Sequence, residues 1–167
     1  YLVARSFGLD SEAAASSQGI LSAPGVTVLN GNRSGALESF FLAAPGWRQG
    51  SSQPSEYRPD IVVMLDGKLP VVLDAKFALS LSERLPLPSG PVKAVQAYLD
   101  EFDLPGAILI VPKVLDQSAL NAQGYVEITG LNRSGKRRLI LGVPMQDPDS
   151  SDSQGAVRAA VTAISSL

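Results

Sequence analysis

Apolar runs separated by turn-forming residues dominate the middle of the chain. Residues 61–65 and 71–73 are apolar runs on either side of Asp66-Gly67-Lys68. An Asp-Gly pair between two such runs is a strong β-hairpin signal. The pattern therefore predicts two central strands joined by a hairpin.

The next segments alternate between helical and strand patterns. Over residues 92–102, apolar side chains recur at Val92, Val95, Leu99 and Phe102, which is helical spacing. Pro105-Gly106 then ends the helix, and residues 107–111 form an apolar run typical of a buried strand. The order strand, helix, strand predicts a right-handed parallel crossover.

Similar patterns predict further elements on both sides of this core. Ser11 or Asp10 could cap an Ala-rich helix ending near residue 21. The remaining predictions are a strand over 26–29, a turn over 30–35, a strand or one helical turn over 37–43, a loop over 45–56, a hairpin of 125–129 and 138–143, an acidic linker over 144–153 and a helix over 154–167.

Together these elements predict an α/β fold with a mixed central β-sheet flanked by helices. A length of 167 residues suits one domain. We expect its core at about residues 11–111, followed by a C-terminal hairpin and helix over 125–167.

The composition narrows the chemistry. The chain has no Cys and no His, which excludes disulfides, thiolate zinc sites, His-ligated metals and Ser-His-Asp triads. Any hydrolysis must therefore depend on carboxylates, Lys, Tyr or a bound metal.

Charge and hydropathy indicate the setting. The net charge of −2 means that attraction to nucleic acid must be local. No apolar run approaches the length of a membrane span, and the first residues do not form a signal peptide, so we expect a soluble cytoplasmic protein. Because the chain begins with Tyr1, we expect a fragment or processed form of a larger protein.

Charged residues occur where the two central strands begin and end. Arg58-Pro59-Asp60 precedes the first strand, and Asp74-Ala75-Lys76 ends the second. Strand alternation puts Asp74 and Lys76 on one face and leaves the Ala75 carbonyl level with them. Burying such charges is unfavourable unless a partner or a metal compensates them.

Whether Asp60 joins this set depends on strand register. A strict two-residue loop pairs residue 60 with 73 and separates the two acids onto opposite faces. A three-residue loop, or a bulge near Pro70, changes the register, for example to residue 60 opposite 72. Pro70 cannot donate a ladder hydrogen bond, so we predict irregular pairing that turns both acids into one cleft.

The predicted set suits metal-dependent phosphodiester hydrolysis. Asp60, Asp74 and the Ala75 carbonyl form a hard oxygen site for Mg²⁺ or Mn²⁺. Lys76 could position or deprotonate the attacking water and neutralise charge in the transition state. An exposed Asp74–Lys76 ion pair, with Asp60 capping a turn, is the competing structural interpretation.

Pro59-Asp60 and Asp74-Ala75-Lys76 resemble the signature of the PD-(D/E)XK nuclease superfamily. Residues 58–62 and 73–77 are similar in sequence to the nuclease domains of McrC-type restriction subunits. The resemblance extends from Glu12 or Glu38 to Val111. It implies a restriction-endonuclease-like fold with a sheet of about four mixed strands and Mg²⁺-dependent cleavage of nucleic acid, usually DNA.

The resemblance also implies helper residues. Many members add a glutamate from the first helix, for which Glu12 is preferred over Glu38. One branch uses a Gln and a Tyr on the helix after the lysine. Gln96 is the preferred candidate and Tyr98 the weaker one. In that branch the Tyr follows the Gln by four residues, but position 100 of this chain is Asp.

Basic residues suggest where DNA could bind. Arg133, Lys136, Arg137 and Arg138 form one compact cluster suited to phosphate contacts, or simply a soluble hairpin tip. Trp47 beside Arg48 could stack on a base or pack in the protein.

We therefore expect a metal-dependent endonuclease or exonuclease acting on DNA in a restriction, defence or repair system. Its modest charge suggests a partner domain or subunit, and a homo-oligomer is compatible with the sequence. The alternatives are a non-cleaving binding or scaffolding module of the same fold, and a nuclease for RNA or for modified or branched DNA.

Overall fold

The computed structural model describes residues 1–10, 19–32, 59–75, 89–112, 117–131, 135, 137–145 and 147–167. The helices in these ranges are α1 (Leu2–Ser6), α2 (Ser89–Glu101) and α3 (Ser151–Ser165), with a 3₁₀ helix over Gln117–Ala119. The strands are β1 (Ile20–Ala23), β2 (Val26–Asn30), β3 (Ile61–Leu65), β4 (Val71–Ala75), β5 (Gly106–Val111), β6 (Val126–Leu131) and β7 (Arg137–Pro144).

The strands form one mixed sheet of seven strands in the order β1-β2-β3-β4-β5-β7-β6. Strands β1 to β4 pair antiparallel in sequence, and β4, β5 and β7 run parallel. Helix α2 connects β4 to the neighbouring parallel strand β5, as a parallel connection requires. The predicted mixed α/β sheet flanked by helices is confirmed, and the arrangement is compatible with the restriction-endonuclease-like fold.

Each face of the sheet carries its own apolar core. Val63 and Leu73 contribute to the core under α1 and α3, whereas Val62 and Val72 contribute to the core under α2. Successive strand residues point to opposite faces, so the continuous apolar runs of β3 and β4 supply both cores at once. This explains why neither strand shows polar alternation.

The prediction of a helix ending near residue 21 is wrong for its last residues. Residues 11–18 lie outside the described residues, but Ile20–Ala23 form strand β1. Ala23 pairs with Val26 across Pro24-Gly25, where Gly25 has a φ of +84°. Pro followed by a positive-φ Gly is type II turn chemistry. This hairpin signal explains why residues 20–23 form a strand rather than the end of a helix.

Helix α1 was not predicted at all. It spans only Leu2–Ser6, which is too short for an apolar period to show in the sequence. Leu2, Val3 and Ala4 are nevertheless buried together. Arg158 Nη1 of α3 donates to the Ser6 carbonyl over 2.9 Å, so α1 is held in place by the C-terminal helix.

The C-terminal hairpin belongs to the sheet. β7 lies between β5 and β6, pairing with β5 in parallel and with β6 antiparallel. The sheet is therefore larger than the roughly four strands that the resemblance implies. Helix α3 begins three residues before the prediction because the Ser150 side chain accepts from the Ser153 N–H over 3.1 Å, which caps the helix.

The predictions for residues 37–43 and 45–56, including Trp47 and Arg48, lie outside the described residues. In the part of the chain that the structure describes, no helix combines the length and apolar character needed to span a membrane.

Candidate active site

The ladder between β3 and β4 sets the positions of the two acids. Ile61 pairs with Leu73, and continuing this register by one residue brings Asp60 opposite Asp74. Residues opposite each other in an antiparallel pair point to the same face. The predicted irregular pairing is confirmed by this register, which places residue 60 opposite 74 rather than 72. The prediction that both acids face one cleft stays a prediction.

The irregularity lies beside Pro70, as predicted. The Lys68 N–H donates to the Leu65 carbonyl over 3.0 Å and closes the turn. An unbroken ladder from that turn would place Val63 opposite Pro70, but Val63 pairs with Val71. The second strand therefore holds one extra residue, which shifts the register as a β-bulge does.

Asp60 lies at the junction of three strands. Its Oδ2 accepts a hydrogen bond from the Ala75 N–H over 2.9 Å. Its own carbonyl accepts from the Gly31 N–H of the β2 edge, also over 2.9 Å. Because the Asp60 carbonyl faces β2, the position opposite Asp74 is a non-hydrogen-bonded one, and in a regular ladder the Cβ atoms of such a pair are about 4.5–5.5 Å apart.

Gly31 makes this junction possible. A Cβ at Gly31 would lie 1.8 Å from the carbonyl oxygen of Pro59 and 3.4 Å from that of Asp60. Every residue except glycine would therefore push the strand start away from β2. The close approach of two backbones fixes where the Asp60 carboxylate sits.

Asp74 is buried, with 3% of its surface exposed. It lies two residues after Val72 on β4, so it shares the face that is covered by α2. A buried carboxylate is unfavourable unless cations or hydrogen-bond donors compensate it. Buried charged groups of this kind occur at functional sites and also in structural ion-pair networks.

Tyr98 on α2 faces this pair of acids. Partial burial, followed by the negative charges of Asp74 and then Asp60, raises the pKa of Tyr98 to about 12. The phenol therefore lies within electrostatic range of both carboxylates and stays protonated at neutral pH. A protonated phenol is a hydrogen-bond donor at the edge of an anionic site.

The preferred helper, Gln96, lies elsewhere on the same helix. Its side chain is exposed, whereas Val95 and Leu99 are buried beneath α2. Tyr98 is three residues after Val95 and four before Phe102, so it borders the inward stripe. This spacing is the sequence signal that could have favoured Tyr98 over Gln96. The role predicted for Gln96 stays a prediction.

Several predicted residues lie outside the described residues. Lys76, Glu12 and Glu38 are among them, and so is Arg58. Their predicted roles, with Lys76 serving the nucleophile and one glutamate assisting, stay predictions. Lys76 directly follows the last described residue of β4.

The donor chemistry fits a hard divalent cation. Asp60 and Asp74 supply carboxylate oxygens on one face, and Ala75 brings a backbone carbonyl to the same strand end. Mg²⁺ is usually bound through one or two carboxylates while keeping several waters. Among the described residues no group of three or more Asp, Glu, His or Cys side chains gathers around a point, so any further acid must come from the rest of the chain.

A cavity of about 470 Å³ opens beside Asp60. It lies between α1 and the sheet face that carries Leu21, Val28 and Ile61, with the Ala75 backbone at its end. Asp60 thus borders the cavity, whereas Asp74 lies on the α2 face and is not among the lining residues.

The basic hairpin is only partly described. Arg133 and Lys136 lie outside the described residues. Arg137 pairs with Glu127 across the hairpin over 3.3 Å, with both side chains about half exposed (56% and 43%). An exposed pair of this kind leaves the guanidinium accessible to solvent and phosphate, so the predicted DNA contact at Arg137 stays a prediction.

Arg138 has a different environment. Its side chain is 10% exposed, and its Nη2 donates to Asp103 Oδ1 over 2.6 Å. Asp103 ends α2 in a left-handed conformation with φ +46°, and the Leu104 N–H reaches back to the Leu99 carbonyl, as in a Schellman cap. This geometry gives Arg138 a structural contact and disfavours the predicted phosphate contact, because the guanidinium faces the protein.

This chain has no match among protein families or curated proteins and a weak similarity to a solved structure. No protein-family model matches the chain, and no curated protein matches it significantly by sequence. Among solved structures, the chain is similar to one in a half-complex of Thermococcus gammatolerans McrB AAA+ hexamers with bound McrC, with a TM-score of 0.44 and 18% identity. The alignment covers 65% of this chain and 25% of that one, so this chain matches about a quarter of its neighbour's length.

Proposed function

We propose that this chain is a Mg²⁺- or Mn²⁺-dependent phosphodiesterase domain that hydrolyses DNA, as part of a restriction, defence or repair system. The observation that supports this most is the cross-strand pair of Asp60 and Asp74. It depends on an inserted residue beside Pro70 and on the glycine at position 31. Neither feature is needed merely to close a hairpin.

The reaction is the addition of water to a phosphodiester. Water forms a new bond to phosphorus, the bond from phosphorus to one ester oxygen breaks, and that oxygen leaves as a hydroxyl group after gaining a proton. A bound divalent cation would supply charge neutralisation and an activated water in such a site. Asp60, Asp74 and the Ala75 carbonyl would hold it.

Other residues have supporting roles in the proposal. Lys76 follows β4 directly and would orient the attacking water or balance charge at phosphorus. Tyr98, whose raised pKa keeps it protonated, would donate a hydrogen bond towards a substrate or water oxygen. Either Glu12 or Glu38 would complete the acidic set.

We also propose that a partner domain or subunit supplies most of the affinity for DNA. The net charge is −2, and one of the predicted phosphate-binding residues, Arg138, is held by Asp103. Without other contacts the remaining cations would give weak, strongly salt-dependent binding.

The direct test is cleavage of linear, circular and single-stranded DNA and of RNA, with Mg²⁺ or with EDTA. We expect Mg²⁺-dependent cleavage that falls by at least about a hundred-fold in Asp74→Asn and in Lys76→Ala. Asp66→Asn is the matched control, since Asp66 is an exposed acid at the far end of the same hairpin. Equal cleavage by wild type and Asp74→Asn would refute the assignment.

One observation favours a second candidate, a non-cleaving module of the same fold. Asp60 already accepts a hydrogen bond from the Ala75 N–H, so it also has a structural use in closing the ladder. Titration with Mn²⁺ separates the two candidates. A catalytic site binds the ion and loses it in Asp74→Asn, whereas a scaffold shows no difference between the two proteins.

A further inference from the structure

The cavity beside Asp60 has a chemistry that the hydrolytic site does not need. Its walls include apolar side chains of α1, β1 and β2, among them Val3, Leu21 and Val28. Asn30 and Asn32 add amide groups at the rim. A volume of about 470 Å³ with a mainly apolar lining and a few polar groups is typical of a pocket for a small flat organic group.

An aromatic ring stands at the entrance. Tyr1 lines the cavity and is 61% exposed. Its hydroxyl donates to Asp149 Oδ1, just before α3, and this bond also raises the pKa of the Tyr1 phenol. The ring is therefore held at the cavity by this hydrogen bond and is largely exposed, and exposed aromatic side chains are the ones on which unpaired bases stack.

The cavity reaches the acidic site at Asp60. Asp60 and Ala75 line it, and the same two residues are joined by the hydrogen bond that ends the ladder. A group in the cavity would thus lie beside Asp60, at the strand end that carries both acids, although Asp74 itself faces α2. In a nucleotide the sugar links the base to the phosphate, so a base is the group that would reach a cavity beside a bound phosphodiester.

We propose that this cavity receives the base of an unpaired nucleotide next to the bond that is cut, so that the substrate is a single-stranded or locally unpaired strand. A base inside a duplex is stacked and paired, and it must leave the stack to enter a protein pocket. The inference rests on the proposed phosphodiesterase function and narrows its substrate class.

The first test measures base insertion without catalysis. The probe is a short DNA strand containing one 2-aminopurine, mixed with the full chain in EDTA. We expect its fluorescence to change on binding, and its affinity to fall between about five-fold and a hundred-fold in Tyr1→Ala, the range for loss of one stacking partner. Leu21→Trp, which fills the cavity, should act likewise.

Matched variants keep this test sharp. Leu69→Ala and Leu69→Trp alter an exposed apolar residue at the distant hairpin turn and should bind like wild type. Tyr1→Ala changes an exposed position, so its result holds even if Leu21→Trp folds poorly. Unchanged affinity and fluorescence in Tyr1→Ala and in a folded Leu21→Trp would overturn the inference.

The second test separates this inference from the proposed function. Cleavage with Mg²⁺ is compared on a duplex and on the same duplex with a few unpaired nucleotides. Faster cutting at the unpaired site, lost in Leu21→Trp, supports the cavity. Equal cutting of both, with loss in Asp74→Asn, refutes the cavity and keeps the phosphodiesterase. Cutting that survives Asp74→Asn refutes the phosphodiesterase site itself, while the fluorescence assay still decides base insertion.

Discussion

Two charged regions of the sheet differ in how their charges are arranged. Asp60 and Asp74 are brought face to face by register, at the junction of β2, β3 and β4. Arg137 and Arg138 start β7, and each has its own carboxylate, Glu127 and Asp103. Both regions look like candidate sites in the sequence, but only the acids are gathered at one point with like charge.

The difference shows what a cluster of charges must have to suggest function. Like charges at one point raise the free energy of the folded state unless hydrogen-bond donors or opposite charges compensate them. Opposite charges in pairs already satisfy each other. Burial is the main cause of the raised pKa of Tyr98, and the negative charges of Asp74 and Asp60 add to it, so both acids act on the same phenol.

The largest effect on the acidic region is expected from a substitution at Gly31. We expect Gly31→Ala to lower the free energy of unfolding by about 1–3 kcal/mol, since the new Cβ would overlap the Pro59 carbonyl. Cleavage should fall as well, because Asp60 would shift. Denaturant melts and cleavage rates check both effects.

Gly155→Ala is the control for this change. Gly155 lies in α3 with open space around its Cβ position, and we expect a gain of about 0.5–1 kcal/mol from better helix propensity. A Gly31→Ala protein as stable and active as wild type would show that the close approach of β2 does not hold Asp60.

The basic side of the comparison can be tested at Asp103. Asp103→Asn keeps a residue that tolerates left-handed backbone but removes the charge bound by Arg138. We expect a loss of about 1.5 kcal/mol, at the low end for a charged hydrogen bond because Asp103 is half exposed. Glu127→Gln, at the exposed pair, should cost less than about 0.5 kcal/mol. Equal losses would mean that the two pairs do not differ.

Tyr98 gives a pH test of the acidic region. Its pKa is raised from 10 to about 12, so the folded state binds this proton more tightly than the unfolded state. Its contribution to stability is complete below pH 10 and is lost as the pH rises from about 10 to 12.

Ultraviolet absorbance is titrated against pH for the wild type and for Tyr98→Phe, and the second curve is subtracted from the first. The difference, which reports Tyr98 alone, should show phenolate absorbance appearing near pH 12. In Asp74→Asn the midpoint should move down, part of the way towards 10, because burial remains as the main cause. A Tyr98 midpoint at 10 in the wild type would place the phenol away from the acids.

Much of the fold was visible in the sequence because local signals agreed with the final packing. The apolar runs of β3, β4 and β5 and the helical stripe of α2 each fill a buried position. The Asp-Gly turn and Pro70 even predicted an irregular register. Strand β1 was missed because its hairpin signal, Pro24-Gly25, follows an Ala-rich stretch with stronger local helix preference.

The site was less predictable than the fold. Asp60 and Asp74 could be proposed because both adjoin buried strands, but their distance depends on one inserted residue and on Gly31, which lies far away in the sequence. The pairing of Arg138 with Asp103 depends on how α2 ends beside β7. Contacts between distant segments of this kind leave no local pattern.

The smallest expected effect concerns Arg137. Its exposed pair with Glu127 should add little to stability, since holding two solvated side chains together offsets most of the attraction. Arg137→Ala should therefore melt within about 0.5 kcal/mol of wild type. If Arg137 also contacts a phosphate, DNA affinity should fall evenly across sequences, and the slope of log affinity against log salt should decrease by about 1. An unchanged slope, with Arg133→Ala as the parallel variant, would mean that Arg137 contributes to the solubility of the hairpin and does not contact a DNA phosphate.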